Sequence, residues 1–330
     1  MTFGFLKAAA LATATALATV PAAWAAELEK VSYLFPAPDF LPAFTPFQVA
    51  RAKGYYEEEG LDVSWAVGKG GADVAKQVAV GNADLGGGIG DTSIIVRPNG
   101  LPVKAVALLG GKALVQIVIR EDSGAADIAG LKGHPVGVLA FQDTTFYNLL
   151  AALSSAGLTR DDVDVRAVGP AGMVQLMISG DLDAIAGTPD WAASIEDAGV
   201  PIKIIPINDL FPAMAQAILA SDKMIETRPE VVKGFVTATL RGMEDVMTDP
   251  AGSAELLEGF LPQFEGKAAM LEDRMRRYTE LVYATDEGQT MGAFEADRVQ
   301  TVMDFYAEAG IISEKLPLDD VYTNAFVGAE

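Results

Sequence analysis

Residues 60–84, GLDVSWAVGKGGADVAKQVAVGNAD, and residues 157–183, GLTRDDVDVRAVGPAGMVQLMISGDLD, share one construction. Each opens on a Gly-Leu pair and alternates apolar and polar residues as a half-buried strand does. Each then turns at glycine, runs through a short apolar helix and stops at glycine again. Gly60-Leu61 answers Gly157-Leu158, Val67-Gly68 answers Val168-Gly169, and Gly71 answers Gly172. Gly81-Asn82-Ala83-Asp84 answers Gly180-Asp181-Leu182-Asp183, and the spacing stays near one hundred residues throughout. Glycine recurs where a strand turns sharply into a helix and where a helix ends at positive φ. Two similar βαβ units, and so two similar lobes, are expected.

The flanking sequence extends both units. Strands are predicted over residues 31–35, 61–67, from Leu85, and over 103–109, with helices over 47–58 and 72–80. The second half predicts strands over 115–119, 136–139, 163–168 and 184–186, and helices over 144–156 and 173–179. This alternation implies an α/β fold with parallel sheets and helices on both faces. From Pro229 the pattern becomes helical over 229–247, 251–261, 267–283 and 293–309. That tail is expected to complete the first lobe. The chain then crosses between lobes twice, near 112–120 and 208–218, and two crossings make a natural hinge.

The first 25 residues predict an export signal. Lys7 supplies the basic start, residues 8–20 the short apolar run, and Ala23-Trp24-Ala25 the small-x-small cleavage pattern. The expected organisation is signal peptide 1–25, first lobe 26–115, second lobe 116–212, and a mainly helical return to the first lobe over 213–330. A periplasmic location follows. With no cysteine, a lipid-anchored N-terminus and disulfides are both excluded. The 330 residues carry a formal charge of −21, which argues against nucleic acid or anionic lipid as partner. No feature demands an oligomer, so a monomer is expected.

Several segments carry a family resemblance. Residues 50–63, ARAKGYYEEEGLDV, followed by Gly81-Asn82-Ala83-Asp84 and by residues 99–104, NGLPVK, come in a characteristic order. Leu131-Lys132-Gly133 with Val136-Gly137-Val138, and residues 221–232 around Pro229, continue it. Together they resemble the binding proteins for nitrate, sulfonates, taurine and thiamine-pyrimidine precursors, the NMT1/THI5-like family of ABC transport. The resemblance implies a two-lobed type II periplasmic-binding-protein fold. It also implies a small-molecule ligand held between the lobes, and a partner permease with its ATPase.

In open α/β sheets ligands bind beyond the carboxyl ends of the strands. The candidate ligand-binding residues on those loops are Asp39, Phe40, Lys69, Gly70, Asp91 and Thr92 in the first lobe. The second lobe offers Gln142, Asp143, Thr144, Thr145, Asp190 and Trp191. Asp143-Thr144-Thr145 precedes a helix, so it reads as an N-cap, a ligand contact or both. The resemblance favours contact, because family members place second-lobe contacts there. Lys69 among glycines is either an anion nest or a plain turn. Phe44 and Tyr147 read more readily as core than as stacking residues, whereas Phe141 could stack. One lysine against four aspartates disfavours an anion and favours a heterocycle with amino groups, such as a pyrimidine. Sulfonate, taurine, nitrate and aromatic acids are the alternatives.

An enzyme is the rival class, since a pyrimidine synthase resembles this family. That synthase depends on several histidines, and this chain has one, His134. No His/Cys metal cluster, G-x-S-x-G elbow, H-E-x-x-H or P-loop is present. The expectation is a binding protein with no cofactor and no catalytic or metal residues. A receptor-linked sensor is a further alternative.

Overall fold

The computed structural model describes residues 1–2, 27–141 and 143–328. The signal and its cleavage site, apart from Met1 and Thr2, therefore lie outside the described residues, and so does Gln142.

Among the described residues ten strands form two five-stranded sheets. The first contains β1 (Glu29–Phe35), β2 (Leu61–Val67), β3 (Leu85–Ile89), β4 (Val103–Leu109) and β10 (Gln216–Ser221), in the order β2-β1-β3-β10-β4. The second contains β5 (Gln116–Arg120), β6 (Pro135–Val138), β7 (Asp164–Ala167), β8 (Ala184–Gly187) and β9 (Ile202–Pro206), in the order β7-β6-β8-β5-β9. The two sheets repeat one plan. Their outer strands run parallel, and β10 or β5 runs antiparallel in fourth place. The sheets are thus mixed, not parallel as the βαβ pattern alone implied. The reason is connectivity. A strand arriving from the other lobe enters at the carboxyl edge of its sheet and must run backwards through it.

The helices of the first half are α1 (Thr45–Ala52), α2 (Tyr55–Glu58), α3 (Gly71–Ala79) and α4 (Thr92–Val96). Those of the second sheet are α5 (Thr144–Ser155), α6 (Gly169–Ser179) and α7 (Pro189–Asp197). After β10 come α8 (Asp222–Thr227), α9 (Pro229–Thr248), α10 (Pro250–Phe260), α11 (Ala268–Tyr278), α12 (Ala296–Glu308) and α13 (Leu318–Val321). The helix expected over 47–58 divides into α1 and α2, because Gly54 takes a left-handed φ of 74°. The one expected over 267–283 ends as α11 and continues through a π-helical turn, Thr279–Tyr283.

The long α9 returns to the first lobe, where Phe235 stacks on Tyr33 at 5.0 Å. Phe35, Phe47, Tyr56 and Trp65 complete that aromatic core. The helical tail therefore packs on the first sheet, with α9 against β2 and β4. The fold is a two-lobed type II periplasmic-binding-protein fold, with crossings over 110–115 and 207–215. These crossing segments are tied to each other by Leu114 N–H donating to Met214 O at 3.2 Å. Among the described residues no helix is long and apolar enough to cross a membrane.

Candidate functional site

The carboxyl ends of the two sheets face each other, and two loops meet there. The first follows β3. Gly90 N–H donates to Ala215 O at 2.9 Å, which seats the loop on the returning crossing segment. Asp91, the next residue, is fully buried. Tyr306 on α12 donates its hydroxyl to Asp91 Oδ2. The other oxygen, Oδ1, is buried with no hydrogen-bond partner among the described residues. Burial pushes the Asp91 carboxyl up to about 6, against the pull of the Tyr306 and Thr144 hydroxyls, and the neighbouring Asp143 adds to the rise.

The second loop follows β6. Asp143 caps α5, its Oδ1 accepting from Thr145 N–H at 2.9 Å and from the Thr145 hydroxyl at 2.8 Å. Thr145 Oγ1 in turn accepts from Leu139 N–H at 3.1 Å, so that hydroxyl is committed to the turn. Burial raises the Asp143 carboxyl as well, although the cap hydrogen bonds oppose it. Gly70 lies against this loop. A Cβ on it would stand 3.9 Å from Asp143 Oδ2, so the lobes approach closely here. Tyr147 on α5 sits 5.9 Å from the Tyr306 ring. Between the loops is a small pocket, partly open to solvent. Ala72, Thr92, Ile95 and Val96 line it from the first lobe, and Asp143 and Thr144 from the second. None of the residues lining it is cationic.

A second meeting point lies at the start of α7. Asp190 is buried and accepts a hydrogen bond from Tyr278 Oη at 2.5 Å. Burial, and then Asp190, hold the Tyr278 phenol well above its ordinary value. One turn and more along, Arg277 pairs with Glu196 at 2.7 Å and Arg274 pairs with Asp197. Helix α11 therefore packs on the first lobe through α10 and clasps the second through α7.

The remaining candidates fall as follows. Thr92 is buried, and its Oγ1 accepts from Ile89 N–H at 3.0 Å. Asp39 is half-buried, and its carbonyl accepts from Gln48 Nε2 at 2.9 Å. Phe40 and Lys69 are exposed. The Lys69 backbone N–H donates to Asp73 at 3.0 Å, so the turn is closed by a carboxylate. Trp191 is half-buried and packs into the smaller core of the second lobe. Phe44 belongs to the main core, and Phe141 is exposed against Phe146. His134 pairs with Asp183 at 2.8 Å on the opposite edge of the sheet. Among the described residues no acidic or histidine cluster could hold a metal ion. Tyr278 and Tyr306 escaped sequence reasoning because they sit in helices remote in the chain from the loops they touch. The signal was present only as tyrosine on an otherwise amphipathic face.

The fold defines a class, the two-lobed periplasmic-binding-protein fold. Within it the chain belongs to the NMT1/THI5-like family, whose model matches residues 41–253. It is 27% identical over 293 residues to the riboflavin-binding protein RibY of Chloroflexus aurantiacus, covering 86% of this chain and 82% of that one. It is 25% identical over 228 residues to the 4-amino-5-hydroxymethyl-2-methylpyrimidine phosphate synthase of Aspergillus parasiticus, covering 65% and 66%. Among solved structures it resembles the alkanesulfonate-binding protein SsuA from Xanthomonas axonopodis pv. citri bound to MOPS. The TM-score is 0.72 at 17% identity, covering 90% of this chain and 100% of that one. That last likeness concerns the fold alone.

Proposed function

We propose that this chain is the periplasmic binding component of an ABC importer and that it captures a nitrogen heterocycle bearing N–H donors. The observation that carries the reading is the pair Asp91 and Asp143. Asp143 and Thr144 of the second lobe line a small pocket that Thr92 lines from the first. The buried Asp91 stands next to Thr92 and feels the Asp143 charge, and among the described residues no cation lines the pocket. Carboxylates accept hydrogen bonds and repel anions, so such a cavity favours amino or ring N–H groups over sulfonate or nitrate. The names of two relatives support the class, since riboflavin and an aminopyrimidine are both nitrogen heterocycles.

In this reading the lobes comprise residues 26–115 with 213–330, and 116–212, behind a cleaved signal 1–25. Ligand bridges both lobes, favours the closed state and presents it to a permease as a monomer. Binding without turnover is the inference, because the single histidine is engaged with Asp183 away from the cavity. The contact set is Asp91, Thr92, Asp143, Thr144 and Gly70, with Asp39, Phe40, Lys69, Gln142, Thr145, Asp190 and Trp191 around it.

A thermal-shift screen tests this. A ligand specific for the native state raises the melting temperature. Riboflavin, aminopyrimidines, taurine, alkyl sulfonates, nitrate and aromatic carboxylates form the panel. A rise with a nitrogen heterocycle alone is expected. A rise with an anion alone would overturn the ligand class. Consumption of the bound compound would overturn the reading as a pure binder.

A further inference from the structure

Two glutamines occupy the same place in the two lobes. Gln116 is the first residue of β5 and lies opposite Gly187 and Pro206, the last residues of β8 and β9. Gln216 is the first residue of β10 and lies opposite Ile89 and Leu109, the last residues of β3 and β4. Each therefore stands at the carboxyl edge of its sheet, where the strand enters from the crossing. Leu114 N–H to Met214 O joins the crossings, and each glutamine is two residues beyond that bond. Their Cα atoms are consequently no more than about 20 Å apart.

Both side chains are buried, Gln116 at 1% exposure and Gln216 at 7%. Among the described residues neither Nε2 nor Oε1 of Gln116 has a hydrogen-bond partner, and Oε1 of Gln216 has none. A buried amide without partners is costly, and it sits here at the head of an apolar run, residues 117–119 in β5 and 217–220 in β10. Apolar residues of similar size would pack there at no such cost. Gly187 faces Gln116, and a Cβ on it would press on Trp191 at 3.2 Å, so the edge is already crowded on that side.

We infer that Gln116 and Gln216 are specificity-determining residues that read a lactam edge, a ring N–H beside a carbonyl, on the ligand. A carboxamide offers N–H and C=O side by side, the complement of that edge. The free oxygen of Gln216 takes a further N–H. This rests on the binding function proposed above and narrows its ligand class, because a carboxylate pair alone does not distinguish an amino group from a lactam.

The test uses the purified full chain, Gln116→Met and Gln216→Met, and two probe pairs. These are riboflavin with 3-methylriboflavin, and uracil with 1,3-dimethyluracil. In the unsubstituted chain the N–H member of at least one pair binds about tenfold or more tighter than its methylated partner. Each variant loses that preference while its melting temperature stays level or rises. Equal binding of both members, a preference kept in both variants, or a melting temperature lowered in both overturns the inference. A shift with 4-amino-2-methylpyrimidine but with none of the four probes overturns it and leaves the parent reading. No shift with any heterocycle removes both.

Discussion

Tyr278 Oη donates to Asp190 Oδ1 at 2.5 Å, and the two residues belong to different lobes. Asp190 begins α7 at the carboxyl end of β8, while Tyr278 ends α11, which rests on α10. The bond exists only while α11 and α7 are together, so it ties those two elements as well as stabilising the fold. Tyr278→Phe leaves Asp190 buried with its donor gone. The expected cost is about 1–3 kcal/mol, read as a lower midpoint in urea unfolding. Solution scattering should show a larger mean radius. An unchanged radius would show that closure does not depend on this bond.

The acid range gives a second expectation. Asp91 sits at about 6 against an ordinary 3.8, so the folded chain binds this proton more tightly than the unfolded chain. Stability from this group is therefore greatest below pH 4, falls as pH rises from about 4 to about 6, and is flat above. The gap corresponds to roughly 3 kcal/mol. Asp143 is raised too and acts in the same direction. Asp91→Asn should remove most of the slope relative to the unsubstituted chain when unfolding is followed from pH 4 to pH 7. Parallel curves for the two proteins would count against a buried, protonatable Asp91.

Asp143 does two jobs, and they separate experimentally. Its Oδ1 holds Thr145, while its Oδ2 lies near Gly70 of the other lobe. Asp143→Ala loses the cap, at about 1 kcal/mol, and also the acceptor facing the cavity. Asp143→Ser restores a cap without a charge. The alanine variant should be less stable than the serine variant, yet both should bind a heterocycle more weakly by calorimetry. Equal affinity in all three proteins would place the ligand elsewhere.

Gly110 fixes the first crossing. Its φ is 134°, and a Cβ there would meet Val282 O at 2.2 Å. Gly110→Ala therefore meets both a strained backbone and a backbone clash, and should destabilise by about 3 kcal/mol or more. A thermal melt checks this directly, and a near-normal melting temperature would mean that the segment after α11 gives way easily.

The repeat over residues 60–84 and 157–183 carried most of the fold, because a strand, a glycine turn and a capped helix each leave a local mark. Strands β2 and β4 coincide with the residues predicted, 61–67 and 103–109. The direction of β5 and β10 left no such mark. Alternation reads the same forwards and backwards, so only the crossing shows that both run antiparallel. Loop residues of the site were legible in the same local way, as with Asp91 and Asp143. What they touch was not, since Tyr306 lies 215 residues from Asp91 in the chain. Gln116 and Gln216 did leave a trace, one amide at the head of each apolar run, but periodicity alone gives it no weight.

The clasp of α11 on α7 has a consequence for time rather than for choice. Arg274, Arg277 and Tyr278 reach Asp197, Glu196 and Asp190, and none of these six lines the cavity. Separating α11 from α7 must break these contacts whatever the cavity holds. Dwell time and chemical preference are thereby set by different parts of the chain. Substitutions on α11 can lengthen or shorten a ligand's stay while leaving the ranking of ligands as it was.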